Sequence, residues 1–553
     1  MKNRLILILT AIIGCSLSAT AQQGFSRTYD YLDYPDSTRC ATVTFSTHIE
    51  ENLVLVSGIT QTGLPGNTGV SYFAAYDLNG EPIWEKKFIS SDPKFIYNRP
   101  VGFRLLEKVS TDRYVCAAQG FDISINPEYY ISRPFLYYFN SNGDSLKLSH
   151  WNYDDELRLF ELGGLAVDNN QNTIIGGTYY SNLASVDSNG FWLAKFDAQG
   201  DFLWKTIVFD TPFYAISTTI YDVLAGNTNN YLICGIAGEP NFNNTGNTVW
   251  SLDQDGNVQW RKAIPKTPDW AECEAIVGRW FRIIPALNGS GYYFTTIAST
   301  PAYGNSCVTI YYCGKIDNNG NMLWAKTYQR DTMHHEEAVS LVQQSNGDLL
   351  FIGTSQSFPN QLESGTSMFC TDSLGNLKWF KIDRWAVCGN VLSNQTFYDI
   401  SVKNDGDIIR GGGIATQARL PCYDTMGDVS WLMLTDSAGR KDITDTIFIS
   451  VDSITVTDIP VDPPVGMDPA EGVGSNWSVY PNPATTAITV YYPATVRNME
   501  VELYDITGKL LQREALEAAT LRLSLEAYTP GVYILRLMQE GRSLGVKKVV
   551  KGK

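Results

Sequence analysis

The sequence predicts an all-β chain: a seven-bladed β-propeller followed by a small C-terminal β-sandwich. Three observations predict it. One hairpin motif recurs seven times in a single register, each copy follows further short strand-like runs, and from Trp477 the chain changes to a separate series of alternating strands. Composition agrees, because 31 Tyr, 24 Phe, 13 Trp and 46 Gly among 553 residues suit short strands and tight turns better than helices.

In chain order, the first element is an export tag. Lys2 and Arg4 precede the apolar run from Leu5 to Ile13, and Ala19-Thr20-Ala21 supplies the small-x-small pattern of a signal peptidase site, so residues 1–21 read as a signal peptide. The run is too short for a permanent membrane helix, and no transmembrane helix is expected once the signal is removed. Ile12-Ile13-Gly14-Cys15 also offers a lipoprotein cleavage box, which would leave Cys15 lipidated.

The repeated motif is clearest in Lys315 to Tyr328, "KIDNNGNMLWAKTY". Its glycine recurs as Gly80, Gly143, Gly200, Gly256, Gly320, Gly375 and Gly439, and three residues before each stands an Asp or, once, Asn140. Four residues after it stands Trp84, Trp204, Trp260, Trp324 or Trp379, with Lys147 and Ile443 in the second and seventh copies. An Asp or Asn side chain can accept hydrogen bonds from the backbone of such a turn, and Gly takes the positive φ that closes the hairpin. The tryptophan offers an apolar face to a neighbouring unit, so its loss in two copies predicts weaker seams there. Asp and Gly at this spacing also occur in calcium loops, but the further oxygen ligands of such a loop are missing.

Before each hairpin comes a strand ending in small residues, as in "NTIIGGT", "YLICGIAG" and "DLLFIGT", and before that another apolar run. Each unit is therefore a four-stranded meander that leaves apolar faces open when alone; seven packed in a ring bury them. "FSRTYD", from Phe25, matches the last-strand pattern of "WAKTYQRD", with Phe25 in the tryptophan position and Arg27 in the lysine position. Blade seven should therefore take its outer strand from the N-terminus. The propeller is expected over 22–443 and a linker, rich in Asp, Pro, Gly and Val, over 444–476.

These repeats resemble bacterial outer-surface propeller repeats, including the pyrroloquinoline-quinone-like family, whose hairpin is usually one residue longer between Asp and Gly. The resemblance implies the fold only, since no residues here match that family's cofactor ligands, and no cofactor is expected. The Asp-box of sialidases has a different spacing.

From 477 to 553 the chain reads as a β-sandwich. Tyr480-Pro481-Asn482-Pro483, Tyr504-Asp505 with Gly508-Lys509, Gly531-Val532-Tyr533, and Lys547-Lys548-Val549-Val550 resemble the type A C-terminal sorting domain of the type IX secretion system of Bacteroidota. The resemblance implies export guided by the tail, with the type IX machinery and its sortase as partners, and a destination in the medium or on the outer-membrane cell surface.

The remaining signals bound the function. A net charge of −16 repels polyanions, so nucleic acid is not an expected partner. Ten cysteines, nine without Cys15, include no C-x-x-C pair; Cys116 and Cys234 lie in apolar strands as small hydrophobes, while Cys273, Cys307, Cys388 and Cys422 lie near loops where pairing is feasible. No catalytic residue and no metal site is expected. His334-His335-Glu336-Glu337 is a conspicuous cluster, but consecutive strand residues point to opposite faces, which disfavours one shared ion. His334, Glu336, Arg158, Trp270, Glu272 and Tyr398 stand where blades begin, near the channel mouth, and suit a carbohydrate or peptide ligand. Two functions follow: a non-enzymatic recognition platform, or a secreted hydrolase or lyase acting on polysaccharide through paired carboxylates.

Overall fold

The computed structural model describes residues 25–29, 41–50, 52–61, 69–88, 106–122, 131–151, 159–180, 189–209, 218–237, 246–265, 281–301, 307–331, 334–357, 365–387, 390–391, 395–403, 406–416, 427–435, 446–450, 454–459, 478–480, 482, 484–491, 499–505, 509–516, 520–539 and 542–552. The chain divides into two units, Met1–Val461 and Asp462–Lys553. The signal peptide falls outside the described residues.

The first unit is a seven-bladed propeller of antiparallel four-stranded meanders. Blade 1 comprises Ala41–Ile49, Val54–Gln61, Gly69–Tyr76 and Pro82–Phe88; blade 2, Leu106–Ser110, Arg113–Asp122, Ile131–Phe139 and Ser145–Ser149. Blade 3 comprises Leu159–Val167, Thr173–Tyr180, Asn189–Phe196 and Phe202–Phe209; blade 4, Thr219–Ala225, Tyr231–Ala237, Gly246–Leu252 and Val258–Ala263. Blade 5 comprises Arg282–Pro285, Tyr292–Pro301, Cys307–Ile316 and Met322–Gln329; blade 6, His334–Gln343, Leu349–Ser357, Gly365–Thr371 and Leu377–Val387. Blade 7 runs through Gln395–Val402, Ile408–Thr416 and Gly427–Thr435 and is completed by Phe25–Tyr29.

That last pairing closes the ring in the expected register. In other blades the hairpin tryptophan lies opposite the penultimate residue of the third strand, as Trp84 does opposite Ala75 and Trp324 opposite Lys315. In blade 7 Phe25 lies opposite Leu434 and Arg27 opposite Leu432, the places of the tryptophan and lysine.

Each described hairpin is an Asx turn. Asp77 Oδ1 accepts from the backbone N–H of Asn79 and Glu81, both at 2.8 Å, and the pattern repeats at Asn140, Asp197, Asp253, Asp317 and Asp372. The following glycine has φ between +73° and +85°. Positive φ is only half of its role. A Cβ at Gly375 would stand 2.8 Å from the Trp324 ring of the preceding blade, and at Gly143, Gly256 and Gly320 it would stand 2.9, 3.1 and 2.6 Å from Trp84, Trp204 and Trp260. The tryptophan of one blade thus packs flat on the turn of the next, a contact that a side chain there would displace.

The seam expected to be weak is filled by other means. Where Lys147 replaces tryptophan, Gly200 is covered by Tyr138, and the Arg113 guanidinium lies 4.7 Å from the Tyr138 ring centroid and donates to Gln199 O at 3.1 Å. Trp151, buried, packs on Trp192 and Phe160 in the same seam. The seventh hairpin, with Gly439 and Ile443, lies outside the described residues.

The composition-based linker is structured at its start. Thr446–Ser450 adds to the outer strand of blade 6, pairing Lys381 to Trp385, and Thr455–Ile459 adds to that of blade 5, pairing Ala325 to Gln329. This strap covers two otherwise open sheet edges. Its signal was weak because Thr455, Val456, Thr457 and Asp458 are exposed, as on an edge strand, while Pro460, Pro463 and Pro464 mark where pairing stops. Cys116, Cys234, Cys313 and Cys370 are buried and form no disulfide, and burial pushes the Cys116 thiol up to about 12, fitting an inert packing role. Cys307 is disulfide-bonded.

The second unit is a sandwich. Ser478–Tyr480, Ala487–Tyr491 and Thr520–Ser524 form one sheet; Leu510–Leu516, Met499–Asp505, Gly531–Gln539 and Arg542–Lys551 form the other. Ile488, Val490, Val501, Leu503, Leu523, Leu535, Leu537 and Val549 alternate inward to make its core.

Candidate functional site

A meander ring has two unlike ends. Connections between first and second strands and between third and fourth strands emerge at one end and span two to six residues. Connections between second and third strands, and between blades, emerge at the other and span four to eighteen. Tight turns close the first end, and the second carries the longer connections. Arg158, Trp270 and Glu272 belong to the between-blade connections and lie outside the described residues.

The described candidates fall into two groups. Tyr398, half-buried, occupies a β-bulge on the inner strand of blade 7, and its ring lies 5.2 Å from that of Phe45, the bulge residue of blade 1. These rings meet where the bulged inner strands of blades 7 and 1 adjoin. His334 and Glu336, by contrast, are enclosed. His334 Nδ1 lies 2.8 Å from the Asp331 carboxylate. Glu336 is fully buried; its Oε1 accepts from Ser355 Oγ at 2.8 Å, and Oε2 has no partner among the described residues. Burial drives the Glu336 carboxyl up to about 8, against the opposing Ser355 hydrogen bond and Arg330 charge. His335 turns the other way, toward Thr309 of blade 5, so the two histidines do not converge. Among the described residues no group of metal-ligating side chains assembles.

Sequence reasoning missed the inner braces. Asp222 Oδ2 accepts from the Ile283 N–H of blade 5 at 3.3 Å, and its Oδ1 lies 3.3 Å from Arg282 Nη1, both side chains fully buried. Asp399 Oδ2 accepts from Thr47 N at 3.0 Å and Ser46 Oγ at 3.1 Å of blade 1, while Oδ1 accepts from Ser340 Oγ of blade 6 at 3.2 Å. Both carboxylates follow a bulged tyrosine, Tyr221 or Tyr398, and that repeated Tyr-Asp in an apolar strand is the signal that marks them. Asp383 and Arg410 pair across the seam of blades 6 and 7, both buried. These acids hold blades together and are spent on structure.

In the sandwich, the tail motif has a mechanical meaning. Asn482 Nδ2 donates to Lys548 O at 2.6 Å and its Oδ1 accepts from Val550 N at 2.8 Å, so one amide side chain pairs with the last strand as backbone would. Ala484 N continues the pairing to Val550 O at 2.8 Å. Asp505 Oδ1 accepts from Lys509 N at 3.0 Å, another Asx turn. Tyr533, on the strand opened by Gly531, donates to Thr529 O at 2.5 Å. Lys548 is exposed beside half-buried Lys547. The side chains of Tyr480, Pro481, Pro483 and Gly508 lie outside the described residues.

Residues 478–552 match the secretion system C-terminal sorting domain family. Such a domain marks proteins exported by type IX secretion, so the chain is secreted or held at the cell surface, and its tail engages the type IX machinery. No curated protein matches the chain. Among solved structures, it is similar to a protein of unknown function from Dyadobacter fermentans, with 10% identity over 72% of this chain and 99% of that one at a TM-score of 0.38. It is also similar to the β-propeller domain of the Trilobed protease from Pyrococcus furiosus, with 8% identity, 68% and 90% coverage and a TM-score of 0.36. A Penicillium chrysogenum α-L-arabinanase complexed with arabinobiose gives 11%, 63%, 94% and 0.36. Likenesses this distant say nothing of what this chain binds.

Proposed function

We propose that the propeller is a non-enzymatic recognition platform, exported by way of a signal peptide over residues 1–21 and the C-terminal sorting domain, and that it binds a carbohydrate or peptide outside the cell at the end of the ring carrying the long connections. The observation that carries this reading is the contrast between the two ends. One end is closed by turns of at most six residues, whereas connections at the other reach eighteen and contain Arg158, Trp270 and Glu272. Such loops, held on a rigid ring, supply aromatic and charged side chains for recognition. The acids on the inner strands support a scaffold role, because Asp222 and Asp399 accept hydrogen bonds from a neighbouring blade and Glu336 is fully buried against Ser355 of its own blade. In the tail, Tyr480, Pro481, Asn482, Pro483, Gly508, Gly531, Tyr533, Lys547 and Lys548 are the sorting signal read by the machinery and its sortase.

A glycan and peptide array probed with the secreted chain tests this. Binding to a restricted ligand class is expected, weakened by Trp270→Ala or Tyr398→Ala, with no cleavage of the bound ligand. Release of new reducing ends from a bound polysaccharide would instead establish the hydrolase or lyase reading.

A further inference from the structure

The tight-turn end of the ring carries a feature of its own between blades 5 and 6. A groove of about 590 Å³ runs along this seam, floored by Tyr293 and Trp324 and edged by Leu287, Leu323 and Leu374. Leu287 and Leu374, at 65% and 63%, are the most exposed large apolar side chains among the described residues.

Both leucines break the pattern of the repeat. Leu374 precedes the hairpin glycine, where other hairpins carry Asn79, Asn142, Gln199, Asp255 and Asn319. Leu287 follows the first residue of an inner turn, where blades 3, 4, 6 and 7 carry Asn169, Asn227, Ser345 and Asn404. A turn tip has no folding need for leucine, since nothing covers it, and exposing two costs solvation free energy at the mouth of one groove. Gln343 fixes one lip by accepting from Leu287 N at 2.8 Å.

We infer that this groove docks an extended peptide segment of a partner protein that presents aliphatic side chains and a carboxylate. The lining contains one charged residue, Lys315, and no acid, in a chain whose net charge is −16. Lys315 Nζ is held 4.8 Å from the Tyr293 ring centroid and 2.7 Å from Ser290 Oγ, so its charge is fixed at the groove. A sugar fits less well: Tyr293 is 1% exposed, the Trp324 ring is engaged by the Gly375 turn, and the accessible edge is aliphatic. The turns bearing Leu287 and Leu374 cap the inner and outer halves of adjoining sheets. Crossing from inner to outer strand is about 14 Å, the reach of about four or five extended residues.

The test uses the full secreted chain and a phage-displayed random heptapeptide library, with counter-selection on L287N/L374N. Asn occupies both positions in other blades, so that variant is expected to melt with the wild type; Leu374→Asn alone serves if it does not. Expected are peptides pairing aliphatic residues with Asp or Glu, bound at least tenfold more weakly by L287N/L374N, and about threefold more weakly by Lys315→Gln with loss of salt sensitivity. Peptides that bind wild type and folded variant equally would overturn the inference. So would a wild-type dimer in sedimentation that the leucine substitutions dissolve, because the groove would then receive a second copy of this chain.

Discussion

The seams between blades are built differently at their two margins. At the hairpins the contact is apolar and repeated: an indole lies on the next turn's glycine in the seams after blades 1, 3, 4 and 5. At the inner strands the contact is polar and individual: a carboxylate accepts from the next blade's backbone after blades 4 and 7, whereas the Gln119 side chain accepts from Leu162 N after blade 2 and the Thr178 hydroxyl from Ile220 N after blade 3. The outer margin repeats one apolar contact, whereas the inner margin uses carboxylate, amide or hydroxyl acceptors from seam to seam.

The largest way to break this contrast is at the inner margin. Asp222→Ala removes the carboxylate beside buried Arg282 and the acceptor of Ile283 N–H, and should lower stability by about 3–5 kcal/mol in denaturant titration. A loss below about 1 kcal/mol would show that the polar braces carry little. Next is Glu336. Its folded carboxyl keeps its proton up to about 8, while in the unfolded chain it ionises near the ordinary glutamate value of 4.5. Between these values the folded state binds more protons, so stability falls as pH rises through that window and the term is absent below it, with a slope approaching about 1.4 kcal/mol per pH unit. Glu336→Gln should remove this slope; unchanged pH dependence would contradict the fully buried placement.

The apolar margin can be sharpened with two glycines of similar conformation. Gly375 and Gly289 have φ of +77° and +70°, but nothing lies within 4 Å of a Cβ at Gly289. Gly289→Ala should cost about 1 kcal/mol of backbone strain, and Gly375→Ala about 1–3 kcal/mol more, because Trp324 must move. Equal losses would remove the indole-on-glycine contact from the account. Smallest is Lys147→Ala, which loses an exposed 2.6 Å ion pair with Asp201 and should change stability by less than about 1 kcal/mol.

The same division explains what the sequence could reveal. Asp, Gly and Trp at fixed offsets are needed by local turn chemistry and one repeated contact, so the six described hairpins, and the register in which Phe25 takes the place of the missing tryptophan, were legible. Asp222, Asp399 and the Asp383–Arg410 pair depend on partners far along the chain, and nothing local announces them beyond the Tyr-Asp repeat. The strap was hidden for another reason: an edge strand exposing Thr455 to Asp458 has the composition of a linker. Of the candidate ligand residues, Tyr398 stands at a bulge of an inner strand, while Glu336 at a strand start gave no hint of its full burial.

Ring closure is the claim on which the seams depend, and amide hydrogen exchange measured peptide by peptide tests it directly. If Phe25–Tyr29 is the outer strand of blade 7, its paired amides should exchange as slowly as those of Gly427–Thr435 and lose protection together with them as denaturant rises. Exchange of the N-terminal segment at the unprotected rate, with Gly427–Thr435 still protected, would contradict it.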